Sequence, residues 1–166
     1  MGSTPKLTLT DFDAAAVLKE VFYLHDKERT RTELNLVTHI HSPCVLRSDR
    51  RLVFVAIRGA LDTILPLAAR GRAAEVAVSL SRNDSSRTVV LQISQDVHRP
   101  PDSAWNRWFD LRWRDRPGGI GSGVGLLAAK RVTELLGGRL SIAPRQGPGC
   151  LLSLSFPEAT ASHSTP

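Results

Sequence analysis

The sequence predicts an α+β fold: a two-layer sandwich in which helices pack on one face of a mostly antiparallel mixed sheet. Three observations support this prediction. The length of 166 residues favours a single domain. The segments follow the order helix, strand, helix, hairpin, loop, helix, hairpin. The strand segments alternate apolar and polar residues, which is typical of a sheet with one buried face.

Two stretches in the first half of the chain predict helices. Residues 9–24 repeat apolar side chains at helical spacing, and Thr10 or Asp11 can cap the helix. Residues 49–65 repeat the pattern, and Pro66 is predicted to end or kink this helix because proline lacks the amide hydrogen.

Short alternating stretches predict the strands, at residues 32–38, 44–46, 75–80, 89–93, 139–143 and 151–156. The last four form two hairpins, because polar or glycine-rich turns join them in pairs. Residues 97–118 have no period and predict a long loop. Residues 126–136 predict a helix, which Gly137 and Gly138 end.

Composition excludes several classes of protein. No apolar run approaches the ~20 residues that span a bilayer, so we expect no membrane contact and a cytoplasmic location. Cys44 and Cys150 lack the spacing of a zinc site or a disulfide framework, and we expect two buried, reduced thiols. The net charge is +6, but its densest arginines lie among tryptophans in the loop 99–118, which we interpret as an anchored loop. Nucleic acid is therefore not an expected partner.

A glycine-rich segment, residues 118–126, opens directly into the predicted helix at 126–136. Glycines allow the backbone to approach a phosphate, and the first amides of a helix point at it with the positive end of the dipole. The segment has neither the Lys-Ser/Thr of a Walker loop nor the preceding strand of a Rossmann fingerprint. It predicts an anion site of another kind.

The wider context resembles a known family. Gly-Ser-Gly-Val-Gly-Leu at 121–126, Gly137-Gly138, Gly147-Pro148-Gly149-Cys150 and the closing Phe156-Pro157 resemble the C-terminal half of the sensor histidine kinase ATP-binding domain. That domain belongs to the superfamily of gyrase, Hsp90, histidine kinases and MutL. The resemblance spans residues 9–157, so we expect one domain there, a disordered leader or cloning remnant at 1–8, and a flexible tail at 158–166.

The resemblance implies a ligand and partners. It implies ATP or ADP with Mg²⁺ if the pocket is functional and no cofactor otherwise, and a response regulator or another two-component protein as the partner. The implied phosphate contacts are Gly119, Gly121, Ser122, Gly123, Val124, Gly125 and Leu126. It implies no catalytic residue in this chain, because the dimerisation segment that carries the family's phosphoacceptor histidine is not in the sequence.

Two of the family's nucleotide boxes are altered here. The asparagine box falls on Gly59 and Thr63, and only Thr63 keeps an oxygen that could contact a metal-bound water. The aspartate that accepts a hydrogen bond from adenine falls on Gln95, or on Asp96 after a shift of one residue. The glycines that follow it are absent. We therefore expect weakened nucleotide binding.

Three functions stay open from the sequence. The first is the ATP-binding domain of a two-component sensor histidine kinase with weakened nucleotide binding. The second is a pseudo-ATPase, or pseudokinase, module that acts by contact with a response regulator or kinase partner. The third is a relative such as an anti-sigma factor kinase or a histidine phosphotransferase. Whether the chain has enzymatic activity is left open.

Overall fold

The computed structural model describes residues 6–32, 35–70, 75–96, 124–145 and 149–160. The elements in chain order are β1 (Leu9–Asp13), α1 (Ala14–Thr32), β2 (Leu36–Ile40), β3 (Val45–Asp49), α2 (Arg50–Arg70), β4 (Val76–Asn83), β5 (Thr88–Gln95), α3 (Val124–Leu135), β6 (Arg139–Pro144) and β7 (Cys150–Pro157). The main sheet has the order β2-β4-β5-β7-β6, and β1 pairs with β3 separately. Only the β2–β4 pairing of the main sheet is parallel. The α+β prediction is therefore confirmed.

The core lies between the main sheet and the three helices. Every second residue is buried along β5 and β7, and in β4 from Val76 to Leu80, as the strand period requires. The buried strand and helix side chains form one cluster, which includes Leu18, Ile57, Leu61, Leu80, Leu91, Ile93, Leu126, Leu154 and Phe156. Each such side chain contributes about 1.5–3 kcal/mol by leaving water.

The first predicted helix begins too early. Residues 9–13 form β1, which pairs antiparallel with β3, and α1 starts at Ala14. Asp13 caps the helix instead of Thr10 or Asp11, because its Oδ1 accepts the amide hydrogen of Ala15 at 3.0 Å.

Of the two outcomes predicted for Pro66, an end of α2 at the proline is wrong, since the helix continues to Arg70. A proline inside a helix frees the carbonyl four residues earlier, which belongs to Asp62. Asp62 lies on the exposed side of α2, where water can bond that carbonyl. The buried stripe that precedes the proline, which includes Leu61 and Ile64, holds α2 on the core.

The two hairpins and α3 agree with the predictions within a few residues. Asn83 stabilises the β4–β5 turn by accepting the amide hydrogens of Ser85 and Ser86. Gly137 ends α3 with a φ of 84°, which favours glycine. β2 starts later than predicted because α1 extends to Thr32. The predicted loop at 97–118 lies outside the described residues.

The chain is anchored beyond the predicted end of the domain at residue 157. Thr160 donates its amide hydrogen to the carbonyl of Arg47 at 2.8 Å, and its hydroxyl lies 2.6 Å from that of buried Ser48. These bonds tie the end of the described chain to β3.

Candidate functional site

Helices α2 and α3 touch backbone to backbone at two glycines. A Cβ built on Gly59 would overlap the carbonyl oxygen of Gly125 and lie 3.2 Å from the Cβ of Ala129. In the reverse direction, a Cβ on Gly125 would lie 3.2 Å from the carbonyl oxygen of Gly59. The start of α3 therefore sits directly on the middle of α2, and only glycine fits at position 59.

Two threonines keep their hydroxyl groups inside these helices. Thr63 donates to the carbonyl of Gly59 at 3.0 Å, and Thr133 donates to the carbonyl of Ala129 at 2.6 Å. Both bonds reach back one helical turn, so neither hydroxyl hydrogen needs a partner on the facing helix. Small side chains with satisfied hydroxyls allow the two backbones to approach closely.

The structure brings together three residues that the sequence assigned to the nucleotide site. Thr63 is 9% exposed, and its hydroxyl oxygen would lie 3.6 Å from a Cβ on Gly125. Gly59 lies one turn earlier on the same face of α2. The positions of the altered asparagine box thus meet the first turn of α3. We call the set of Gly59, Thr63 and Gly125 the α2–α3 junction.

The first turn of α3 is well anchored. Leu126 is fully buried in the core, and Val124 begins the helix. The amides of this turn are the ones that an anion would meet, since the first amides of a helix lack intrahelical acceptors. The other predicted phosphate contacts, Gly119, Gly121, Ser122 and Gly123, lie outside the described residues.

The junction does not fit a Mg²⁺ site. Mg²⁺ takes near-octahedral oxygen ligands, usually carboxylates, carbonyls and waters. Position 59 has no side chain and no room for one, while Thr63 offers one neutral hydroxyl oxygen whose hydrogen is already bonded. Within the described ranges, no cluster of three or more His, Cys, Asp or Glu side chains could hold a metal.

Gln95 lies at the end of β5, on the same face as buried Leu91 and Ile93. It is 0% exposed, and its Nε2 donates to the Sγ of Cys150 at 3.2 Å. Gln95 and Cys150 are also partners in the β5–β7 register. Asp96 follows as a partly buried residue in a bend. Position 95 is thus inside the domain, with its amide group directed at β7.

Cys150 and the residue before it complete this end of the sheet. Burial raises the pKa of the Cys150 thiol, while the hydrogen bond from Gln95 acts in the opposite direction. Gly149 has a φ of 99°, and a Cβ there would overlap the carbonyl oxygen of Gln95. The contact between Cys150 and Gln95 was not predicted from the sequence, because it depends on the pairing of β5 with β7, which are not neighbours along the chain.

The prediction for the cysteines is confirmed, since both thiols are free and buried. Among the described helices, none is long and apolar enough to cross a membrane.

A family model described as "histidine kinase-, DNA gyrase B-, and HSP90-like ATPase" matches residues 49–160, more than half of the chain. The Methanothrix harundinacea methanogenesis regulatory histidine kinase FilI is 30% identical over 112 residues, covering 68% of this chain and 12% of that protein. The chain therefore spans about an eighth of this relative's length.

Two solved structures share the fold. Full-length ShkA in complex with AMPPNP superposes with a TM-score of 0.76 at 19% identity, over 97% of this chain and 33% of that one. Histidine kinase ThkA, in complex with response regulator protein TrrA, gives a TM-score of 0.77 at 11% identity, over 96% of this chain and 44% of that one.

The layered fold, with the start of α3 set against α2, is that of the solved histidine kinase structures above. The chain belongs to the histidine kinase-, DNA gyrase B- and HSP90-like ATPase family, and it is similar to the ATPase domains of histidine kinases.

Proposed function

We propose that the chain is the ATP-binding domain of a two-component sensor histidine kinase and that it binds adenine nucleotides weakly. The observation that carries this proposal is the α2–α3 junction. It sets the amides of the first turn of α3 beside Thr63 while leaving no room for a side chain at position 59. A phosphate can meet those amides, but the asparagine side chains that the family carries on this helix are missing.

The proposed phosphate contacts are the glycine-rich segment and the first turn of α3, from Gly119 to Leu126. Helix amides and their dipole stabilise a nearby anion by about 0.3–1 kcal/mol at an exposed site. The AMPPNP bound to ShkA supports a nucleotide as the ligand of this fold. The net charge of +6 further favours an anionic ligand.

The base is proposed to lie at the end of β5, where Gln95 or Asp96 takes the place of the family's aspartate. The Nε2 of Gln95 is bonded to Cys150, and its side chain is fully buried. A base contact through Gln95 therefore requires a local rearrangement, whereas Asp96 is only partly buried.

The expected affinity follows from the altered contacts. An unmade polar or charge-assisted contact costs about 1–3 kcal/mol. Two such losses, one at the metal side and one at the base, lower the affinity roughly a hundredfold relative to an intact site of this family.

The partner and the cellular setting are part of the proposal. The complex of ThkA with TrrA supports a response regulator as the partner of the whole protein. Phosphoryl transfer would require a phosphoacceptor histidine outside the matched region. A location in the cytoplasm is proposed because nucleotide and regulator would both meet the domain there.

Calorimetric titration with ADP, AMPPNP and adenosine tests this function. ADP and AMPPNP should bind weakly with measurable heat. Adenosine should give none at the same concentration, because it lacks the phosphates that α3 attracts. Equal binding of adenosine and ADP would place the ligand elsewhere on the chain.

A second candidate is the pseudo-ATPase module, which acts through protein contact alone. The hydrogen bond between Gln95 and Cys150 favours this candidate, since the two buried side chains occupy the proposed position of the base. Absence of ADP heat up to millimolar nucleotide, with a folded domain by circular dichroism, would select this candidate over the first.

A further inference from the structure

The family's nucleotide site implies a divalent cation held by an asparagine side chain of α2, and the junction of this chain disagrees with that arrangement. The position on α2 that faces the start of α3 carries no side chain. A Cβ there would meet the carbonyl oxygen of Gly125, its carbonyl carbon at 3.1 Å and the Cβ of Ala129. Two of these three contacts are backbone atoms, so no change of rotamer could relieve the overlap.

Position 63, the second asparagine position of the family, also lacks a side chain suited to Mg²⁺. Thr63 lies one turn further along α2 and is 9% exposed. Its hydroxyl hydrogen is used by the carbonyl of Gly59 at 3.0 Å, within α2. What position 63 offers a cation is a single neutral hydroxyl oxygen, without the amide carbonyl of the family's asparagine. Packing between the helices has thus replaced the polar groups that would hold a cation.

We infer that this domain binds its nucleotide as the metal-free anion, so that Mg²⁺ does not strengthen binding. This inference rests on the proposed function, because it concerns the ionic form of the nucleotide at the same site. It follows from charge as well as geometry. With no ligand for the metal on α2, a bound Mg²⁺ would only neutralise the phosphates that the positive end of α3 attracts.

The expected dependence on metal is therefore the reverse of that of a Mg²⁺-assisted site. The affinity for ADP should be highest in excess EDTA. It should fall severalfold as Mg²⁺ rises above the nucleotide concentration, because the metal converts free ADP into a less anionic complex. Salt should weaken binding in both buffers, since the attraction is electrostatic.

The test is an ADP titration of the intact chain by calorimetry, in EDTA and in excess Mg²⁺. Water-proton relaxation with Mn²⁺ in place of Mg²⁺ is a second readout, because a ternary complex tumbles slowly and raises the relaxation rate. We expect severalfold tighter binding in EDTA and no enhancement by the protein over Mn²⁺-ADP alone. Binding about tenfold tighter with Mg²⁺, or a clear enhancement, would overturn the inference.

The outcomes separate the inference from the proposed function. If ADP binds only with Mg²⁺, the function stands and the inference falls. If ADP binds in neither buffer, the function falls and the inference falls with it.

Thr63→Asn gives an independent arm, since it returns the family's amide to one position. The variant should fold, as judged by circular dichroism, and should still bind ADP no tighter with Mg²⁺. A gain of Mg²⁺-dependent binding in this variant would mean that the place for the metal is open, contrary to the inference. Val55→Asn is the matched control, because Val55 is 40% exposed on the same helix.

Discussion

Gly59 and Gly125 face each other where α2 crosses α3, so closely that a methyl group on Gly59 would overlap the carbonyl oxygen of Gly125. The missing side chain at position 59 therefore has a packing reason as well as a consequence for the ligand. A glycine inside a helix costs about 1 kcal/mol relative to alanine. The close crossing offsets that cost.

Gly59→Ala should destabilise the domain by about 1–3 kcal/mol, because overpacking against backbone atoms outweighs the better helix propensity of alanine. Urea unfolding measures the change. Val55→Ala on the exposed side of α2 is the control and should stay within about 0.5 kcal/mol of the wild type. A Gly59→Ala domain as stable as the wild type would show that the helices do not touch at this point.

Gln95→Asp, which restores the family's residue, should destabilise the domain by about 1–3 kcal/mol by removing the bond to Cys150 and burying a carboxylate. Burial would raise the pKa of this new carboxyl. The folded state favours the neutral carboxyl group, so the loss of stability should grow as the pH rises from 4 to 7. Gln92→Asp on the exposed face of β5 is the control, measured by the same denaturant titrations. An unchanged or larger stability for Gln95→Asp at pH 7 would contradict the placement of Gln95.

Asp13→Asn should cost about 1–2 kcal/mol near neutral pH, since Asp13 caps α1 and accepts the amide hydrogen of Cys44 at 2.9 Å. Burial alone would raise the pKa of Asp13. The bonds from Cys44, Ala15 and Ser42 outweigh it and hold the pKa below 3.8. Because the pKa is lower in the folded than in the unfolded chain, Asp13 stabilises the fold at pH values above the unfolded pKa. This stability is lost as the pH falls.

The difference between wild type and Asp13→Asn should therefore shrink in acid below about pH 4. Asp11→Asn is the control, because Asp11 is exposed and its ion pair with exposed Arg47, at 3.4 Å, is at the surface. Parallel pH profiles for wild type and Asp13→Asn would count against the capping role.

The two cysteines should make the fold less stable in alkali. Burial raises the pKa of both Cys44 and Cys150 above 9.0. The folded state keeps the thiol protons that the unfolded chain releases, so the stability is intact below pH 9 and falls as the pH rises further. Cys150→Ala should reduce this alkaline loss. Ellman's reagent should react slowly with the folded chain and fast in denaturant, and rapid labelling of both thiols in the folded state would disprove their burial.

The fold was largely predictable because periodicity reports local structure. The alternation in β4 and β5, the glycine stop after α3 and the polar turn at Asn83 all carry their signal in neighbouring residues. The predicted start of α1 was wrong because residues 9–13 form β1, which is stabilised by its pairing with β3, from Asp49 to Val45. A partner so far along the chain gives no signal in the local pattern of residues 9–13.

Three of the predicted site residues lie together in the structure, but their geometry could not be predicted. The resemblance selected Gly59, Thr63 and Gly125, and the structure brings them together at one crossing. From the sequence, Gly59 could be recognised only as the replacement of an asparagine of the family. The sequence could not show that the carbonyl of Gly125 occupies the space, because the separation of two helices is set by the whole core. The end of α2 was predicted too early, at Pro66, for a related reason, since the buried stripe before the proline outweighs the missing hydrogen bond.

The central claim is that the start of α3 receives the phosphates of a nucleotide beside a junction that holds no metal. Amide chemical shifts of the ¹⁵N-labelled chain during an ADP titration in EDTA test it most directly. The account predicts the largest shifts at the amides of Gly125 and Leu126, with adenosine causing none there. Unchanged signals at these two amides in millimolar ADP, or shifts confined to the far side of the sheet, would contradict it.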